Sequence, residues 1–118
     1  MPSPAVSIHP YFKVHPGQLA AAKALLPVFV ARTNTEPACH YYEFTIDGDM
    51  VFCREAYANA EAVLAHLVNV EAQLGAMLKI ADLTRLELHG PAAELEKLRT
   101  PLADLKPAWF VFECGVEK

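Results

Sequence analysis

The chain has 118 residues, 53% of them hydrophobic and 20% charged, with a formal charge of −4. That length suits one domain and excludes two separate cores of useful size. Ten Lys and Arg stand against fourteen Asp and Glu, without a basic cluster, which speaks against nucleic acid and anionic membrane as partners.

The mean hydropathy of +0.18 is high for so small a soluble chain. A small monomer cannot hide that much apolar surface, so a second copy is expected to cover some of it, giving a homodimer. The start MPSPAVSI lacks the positive charge and apolar core of a signal peptide. No apolar run approaches the roughly 18 residues that span a bilayer. Cys39, Cys53 and Cys114 are widely spaced and form no CxxC, so they read as reduced thiols of a cytoplasmic protein.

Residues 5–15 alternate, with Val6, Ile8, Phe12 and Val14 on one face and Ser7, His9, Tyr11, Lys13 and His15 on the other. This is a half-buried strand, and Pro10 suggests an edge or bulge. Residues 18–33 carry Leu19, Ala22, Leu26, Phe29 and Val30 at helical spacing, with Pro27 expected to kink the helix. Ala38 to Ile46 and Met50 to Tyr57 read as two antiparallel strands joined at Asp47-Gly48-Asp49. Asn59 is a good N-cap for a helix reaching about Leu78, its seam formed by Val63, Leu67, Val70, Leu74 and Met77. Ile80 to His89 is a fourth strand, Pro91 opens a further helix, and Ala108 to Cys114 is a last strand. The order β-α-β-β-α-β, then α-β, is the ferredoxin-like α+β arrangement of an antiparallel sheet with an extra helix and strand. A core unit at 5–90 and an extension at 91–118 are expected. Both core helices fall on one face of the sheet, and the other face needs a cover, most simply a second copy.

Three segments add to this: EPACHYYEF from Glu36, VFCREAY from Val51, and NAEAVLAHL from Asn59. Together they resemble the antibiotic biosynthesis monooxygenase (ABM) family. Over roughly residues 5–90 the resemblance implies a homodimeric α+β barrel. Some members oxidise polycyclic phenols or quinols with oxygen and without metal or flavin. Others degrade haem, isomerise small metabolites, or serve no known reaction. By this likeness the chain is expected to take a small aromatic or quinol-like ligand without a cofactor. Fold does not determine function, so a non-catalytic binding or stress-related dimer and an isomerase stay open beside the oxygenase.

His66 is the first catalytic candidate. It lies about 60° from the centre of the buried helical stripe, at the edge facing the sheet. An imidazole there can take a proton from a phenol or hydroquinone near neutral pH. A half-buried histidine that merely bonds a strand residue fits the same pattern. Glu55 shares a strand face with Val51, Cys53 and Tyr57, where a carboxyl needs a partner. The resemblance makes it the glutamate of the family's third strand and a group that orients His66. The other reading is a structural ion pair, with Arg85 for example. Tyr42, Tyr57 and His40 are candidates for binding substrate, His40 because alternation puts it with Tyr42 and Phe44. Trp109 either caps the cavity or anchors the dimer. The five histidines have no i,i+4 or His-x-His spacing, and no Walker or GxGxxG loop is present, so no metal or nucleotide is expected. A haem site fits poorly. The first strand offers His9, Tyr11 and Lys13 rather than the asparagine of the haem-degrading branch. The late helix reads Gly75, Ala76, Met77 where that branch has its axial histidine.

Overall fold

A computed structural model describes residues 3–116. The elements are β1 (Val6–Val14), α1 (Leu19–Thr33), β2 (Cys39–Asp47), β3 (Met50–Tyr57), α2 (Ala60–Asn69), α3 (Glu71–Leu78), β4 (Ala81–Gly90), α4 (Ala92–Arg99) and β5 (Ala108–Val111). The strands form one sheet in the order β2-β3-β1-β4-β5. The ferredoxin-like α+β fold is therefore as expected, with one refinement. β5 runs parallel to β4, so the sheet is mixed, and the extension completes the edge of this chain's own sheet. The parallel direction follows from the α4 crossover, which returns the chain to the starting end of β4.

Local chemistry sets the elements. Gly48, at φ +60°, supplies the left-handed turn residue between β2 and β3, where Asp47 pairs with Met50. Asn59 caps α2, its side chain accepting from the amide of Ala62 at 2.9 Å. β5 ends at Val111 and not at Cys114, because β4 has no residue left to pair beyond Gly90. α1 runs through Pro27 without interruption.

The expected single helix to Leu78 is two helices. The break falls at Val70, with φ −107° and ψ 14°. Arg32 explains it: its Nε donates to the carbonyl of Asn69 at 3.1 Å, while Asn69 Nδ2 donates to the carbonyl of Arg32 at 2.8 Å. The end of α2 is thereby tied to the end of α1. Val70, Leu74 and Met77 then pack inward on the new axis.

The inner sheet face and the helices bury two clusters. Val6, Tyr57, Val63, Leu88, Leu95 and Leu98 form one beneath α2 and α4. Phe12, Ala22, Phe29, Val51, Val70 and Met77 form the other beneath α1 and α3. Full burial of each large aliphatic side chain contributes about 1.5–3 kcal/mol. Among the described residues no helix covers the outer sheet face. It carries an aromatic band in which His89 stacks on Phe110 at 4.5 Å, His9 meets His89 edge-on at 4.7 Å, and Tyr11 tilts against Phe52 at 4.8 Å. Among the described residues no helix is long and apolar enough to cross a membrane.

Candidate active site

The two clusters meet at a seam, and a cavity of about 50 Å³ opens there. Its walls are mostly apolar, among them Ile8, Phe12, Phe29, Leu67 and Leu83. Four chemically active side chains interrupt them: Tyr42, Cys53, Glu55 and His66. The volume holds a few water molecules.

Strand alternation and helical spacing bring the polar groups together. Tyr42 on β2 pairs across the ladder with Glu55 on β3, so both face inward. Tyr57 follows two residues later on the same face, and its hydroxyl donates to Glu55 Oε1 at 2.7 Å. On α2, Ala60, Val63 and His66 recur every three residues and form the buried stripe. His66 is 2% exposed and Glu55 is 4% exposed. The Nε2 atom of His66 lies 3.3 Å from Glu55 Oε1. Its ring is 5.2 Å from that of Tyr42 and 4.9 Å from that of Tyr57.

The other nitrogen of His66 meets a residue that the sequence reading did not select. Glu36, in the loop before β2, places its oxygens 3.0 and 3.1 Å from Nδ1. Asn69 holds that carboxylate in turn, its Nδ2 donating to Glu36 Oε2 at 2.7 Å. A carboxylate accepts and cannot donate, so in the neutral ring the proton sits on Nδ1. The lone pair of Nε2 then points toward Glu55 and the cavity. Glu36 lies inside the EPACHYYEF segment, and an acidic residue beside a proline turn was the only signal that could have found it.

Burial raises the carboxyl of Glu55 above its ordinary value, opposed in part by His66, Tyr57 and Cys53. Burial thus shifts the balance at Glu55 toward the protonated carboxyl relative to the same group in water. Burial also pushes up the phenols of Tyr42 and Tyr57 and the thiol of Cys53, in each case reinforced by Glu55. The site therefore holds its tyrosines as hydrogen-bond donors, with His66 the group placed to exchange protons with a ligand.

The remaining candidates are placed elsewhere. Strand β2 has a bulge between Cys39 and Tyr41, with His40 as the extra residue. His40 is therefore unpaired, exposed and outside the cavity, and the simple alternation that grouped it with Tyr42 does not hold there. Tyr57 touches Glu55 rather than the cavity space. Trp109 faces α4, with the guanidinium of Arg99 4.9 Å from its ring, and lines neither the cavity nor the outer band. Arg85 does not partner Glu55, since it lies on the outer face and pairs with Glu87. Among the described residues no three His, Cys, Asp or Glu side chains gather as a metal site.

The sequence matches no protein-family profile. It matches no curated protein at a significant level. Solved structures do resemble the chain. MupZ from Pseudomonas fluorescens superposes with a TM-score of 0.92 at 39% identity, over 97% of this chain and 94% of MupZ. A Caulobacter crescentus protein named for the antibiotic biosynthesis monooxygenases gives a TM-score of 0.66 at 20% identity, over 73% of this chain and 88% of its own. A Nitrosomonas europaea protein named in the same way gives 0.69 at 12% identity, over 78% and 94%. At such low identity these last two speak for the fold alone.

Proposed function

Because this chain is related to MupZ over nearly its full length and shares its fold with proteins named as antibiotic biosynthesis monooxygenases, we propose that it is a small-molecule enzyme of the monooxygenase-like kind, working by proton transfer at His66. The preferred substrate is an electron-rich phenol or quinol, and no metal or organic cofactor takes part. The observation that carries this reading is the doubly held His66, with Glu36 on Nδ1 and Glu55 beside Nε2 at the wall of an apolar cavity. A site that only binds apolar ligands has no need of two buried carboxyls at one imidazole, since each costs desolvation.

In the proposed step, Nε2 takes the phenolic proton. The phenolate passes one electron to molecular oxygen, giving superoxide and a phenoxyl radical. These combine through a new C–O bond at a ring carbon that bears hydrogen. The O–O bond then breaks, the ring carbon becomes a carbonyl, and the distal oxygen leaves as water with two protons, one of them returned by His66. Substrate plus oxygen thus gives a quinone plus water. The dry walls slow the escape of the radical pair.

A second reading rests on the raised carboxyl of Glu55. A protonated Glu55 3.3 Å from a basic Nε2 suits an isomerase, which removes a proton at one atom and returns one at another. Oxygen dependence separates the two. Oxygen uptake with a panel of hydroquinones and anthrones should fall about 10²–10⁴-fold in His66→Ala. Unchanged turnover in that variant removes His66 as the base, and turnover without oxygen selects the isomerase.

The proposed assembly is a homodimer joined through the uncovered outer face, where Phe110 is 41% exposed and stacks on His89. Analytical ultracentrifugation should find twice the 13.0 kDa chain mass. A single-chain mass at micromolar concentration would contradict the dimer.

A further inference from the structure

The inner cavity of about 50 Å³ is too small for a whole substrate, since ligand pockets commonly run to ~300–1,000 Å³. A substrate that reaches His66 must leave most of its length elsewhere. Tyr42 is a wall of this cavity and also a wall of a second recess of about 200 Å³. The recess lies between the end of α1 and the start of β2, where Thr33, Glu36 and Cys39 line it.

Two features mark this recess as a place for a polar group. Thr33 is 2% exposed, and its hydroxyl has the Tyr42 hydroxyl beside it but no hydrogen bond of ordinary geometry. Buried hydroxyls are nearly always well paired, so one held this loosely leaves room for a better partner. Glu36 presents its carboxylate to the recess while also gripping Nδ1 of His66. The thiol of Cys39 is pushed up to about 11, by burial first and then by Glu36, so it adds no negative charge. His40 and Asn34 line the same recess and can accept as well as donate, so with the carboxylate of Glu36 and the hydroxyl of Thr33 the recess favours donors.

We propose that this recess is an outer subsite holding a hydroxyl- or ammonium-bearing arm of the substrate, whose narrow reacting end passes Tyr42 into the inner cavity. The inference rests on His66 as the reacting centre, but it concerns binding and not turnover. It makes Tyr42 the partition between the two chambers and Thr33 a specificity residue.

The test is a titration of the full chain, followed by methyl NMR of Thr33 and by calorimetry. The probes are tyrosol, a phenol with a para hydroxyethyl arm, tyramine, its aminoethyl counterpart, and para-ethylphenol, which lacks the polar group. Tyrosol and tyramine should each bind about fivefold more tightly than para-ethylphenol, the worth of one neutral hydrogen bond. Both should shift the Thr33 methyl. Thr33→Val keeps the shape, removes the hydroxyl and should level the tyrosol series, while Thr33→Ser should keep the preference. Equal affinities in the native protein overturn the subsite. So does a preference that survives Thr33→Val, and so does a failure of all three probes to bind. If the preference holds but no phenol supports oxygen uptake, the oxygenase reading fails and the subsite stands.

Discussion

Replacing Glu36 by glutamine keeps the shape of the side chain and removes its charge. Its two oxygens now lie 3.0 and 3.1 Å from Nδ1 of His66, and Asn69 Nδ2 donates to Oε2 at 2.7 Å. An amide nitrogen of Asn69 only donates, so the glutamine must turn its carbonyl oxygen toward Asn69. Its own NH2 then takes the Oε1 place, 3.1 Å from Nδ1, and the carbonyl oxygen in the Oε2 place, 3.0 Å away, no longer carries the charge that favours a proton on Nδ1. The tautomer with its proton on Nε2, the nitrogen 3.3 Å from Glu55 Oε1, gains population, and in it the lone pair aimed at the substrate is lost. General-base catalysis is worth about 10²–10⁴-fold, so kcat should fall by that factor, about 3–5 kcal/mol of barrier. KM for hydroquinone, which has no long arm to reach the outer recess, should change little, because the walls of the inner cavity are untouched. Folding stability should fall by about 1–3 kcal/mol with the loss of hydrogen bonds to a charged group. Little of that is screened, as the side chain of Glu36 is 13% exposed. Nitrogen NMR of His66 reads the tautomer directly, and oxygen uptake with hydroquinone reads the rate. A proton that stays on Nδ1 in Glu36→Gln, or an unchanged kcat, refutes the reasoning.

Two further outcomes follow from the same cluster. Tyr57→Phe deletes the 2.7 Å hydrogen bond to Glu55 inside the core, and urea denaturation should show a loss of about 1–3 kcal/mol; a change below ~0.5 kcal/mol would mean the bond is idle. Burial raises Glu55 above its ordinary 4.5, so over a pH window the folded chain holds a proton that the unfolded chain has released. The stability from this group is fully present below the unfolded value and declines as pH rises through the raised folded one. Thermal melting as pH rises above the ordinary 4.5 of the unfolded group should show a downward slope in the native protein that Glu55→Gln flattens; parallel curves for the two would contradict it.

Much of this molecule is legible in its sequence because short-range periodicity encodes it. Alternation in residues 5–15 and the Asp47-Gly48-Asp49 turn set strands and a hairpin before any tertiary contact is considered. The same periodicity turns Glu55, Tyr57 and His66 inward, and the structure buries all three. Tertiary structure decided the rest. The bulge that expels His40 depends on how β2 registers against β3. The break at Val70 depends on Arg32 capturing a carbonyl 37 residues away. Glu36 meets His66 across 30 residues, and Asn69 holds its carboxylate there from 33 residues away. The sequence alone determined which faces are buried, since that follows from each element's own repeat. Which buried groups touch is settled by loops and side-chain hydrogen bonds between elements, and no local repeat records those distances.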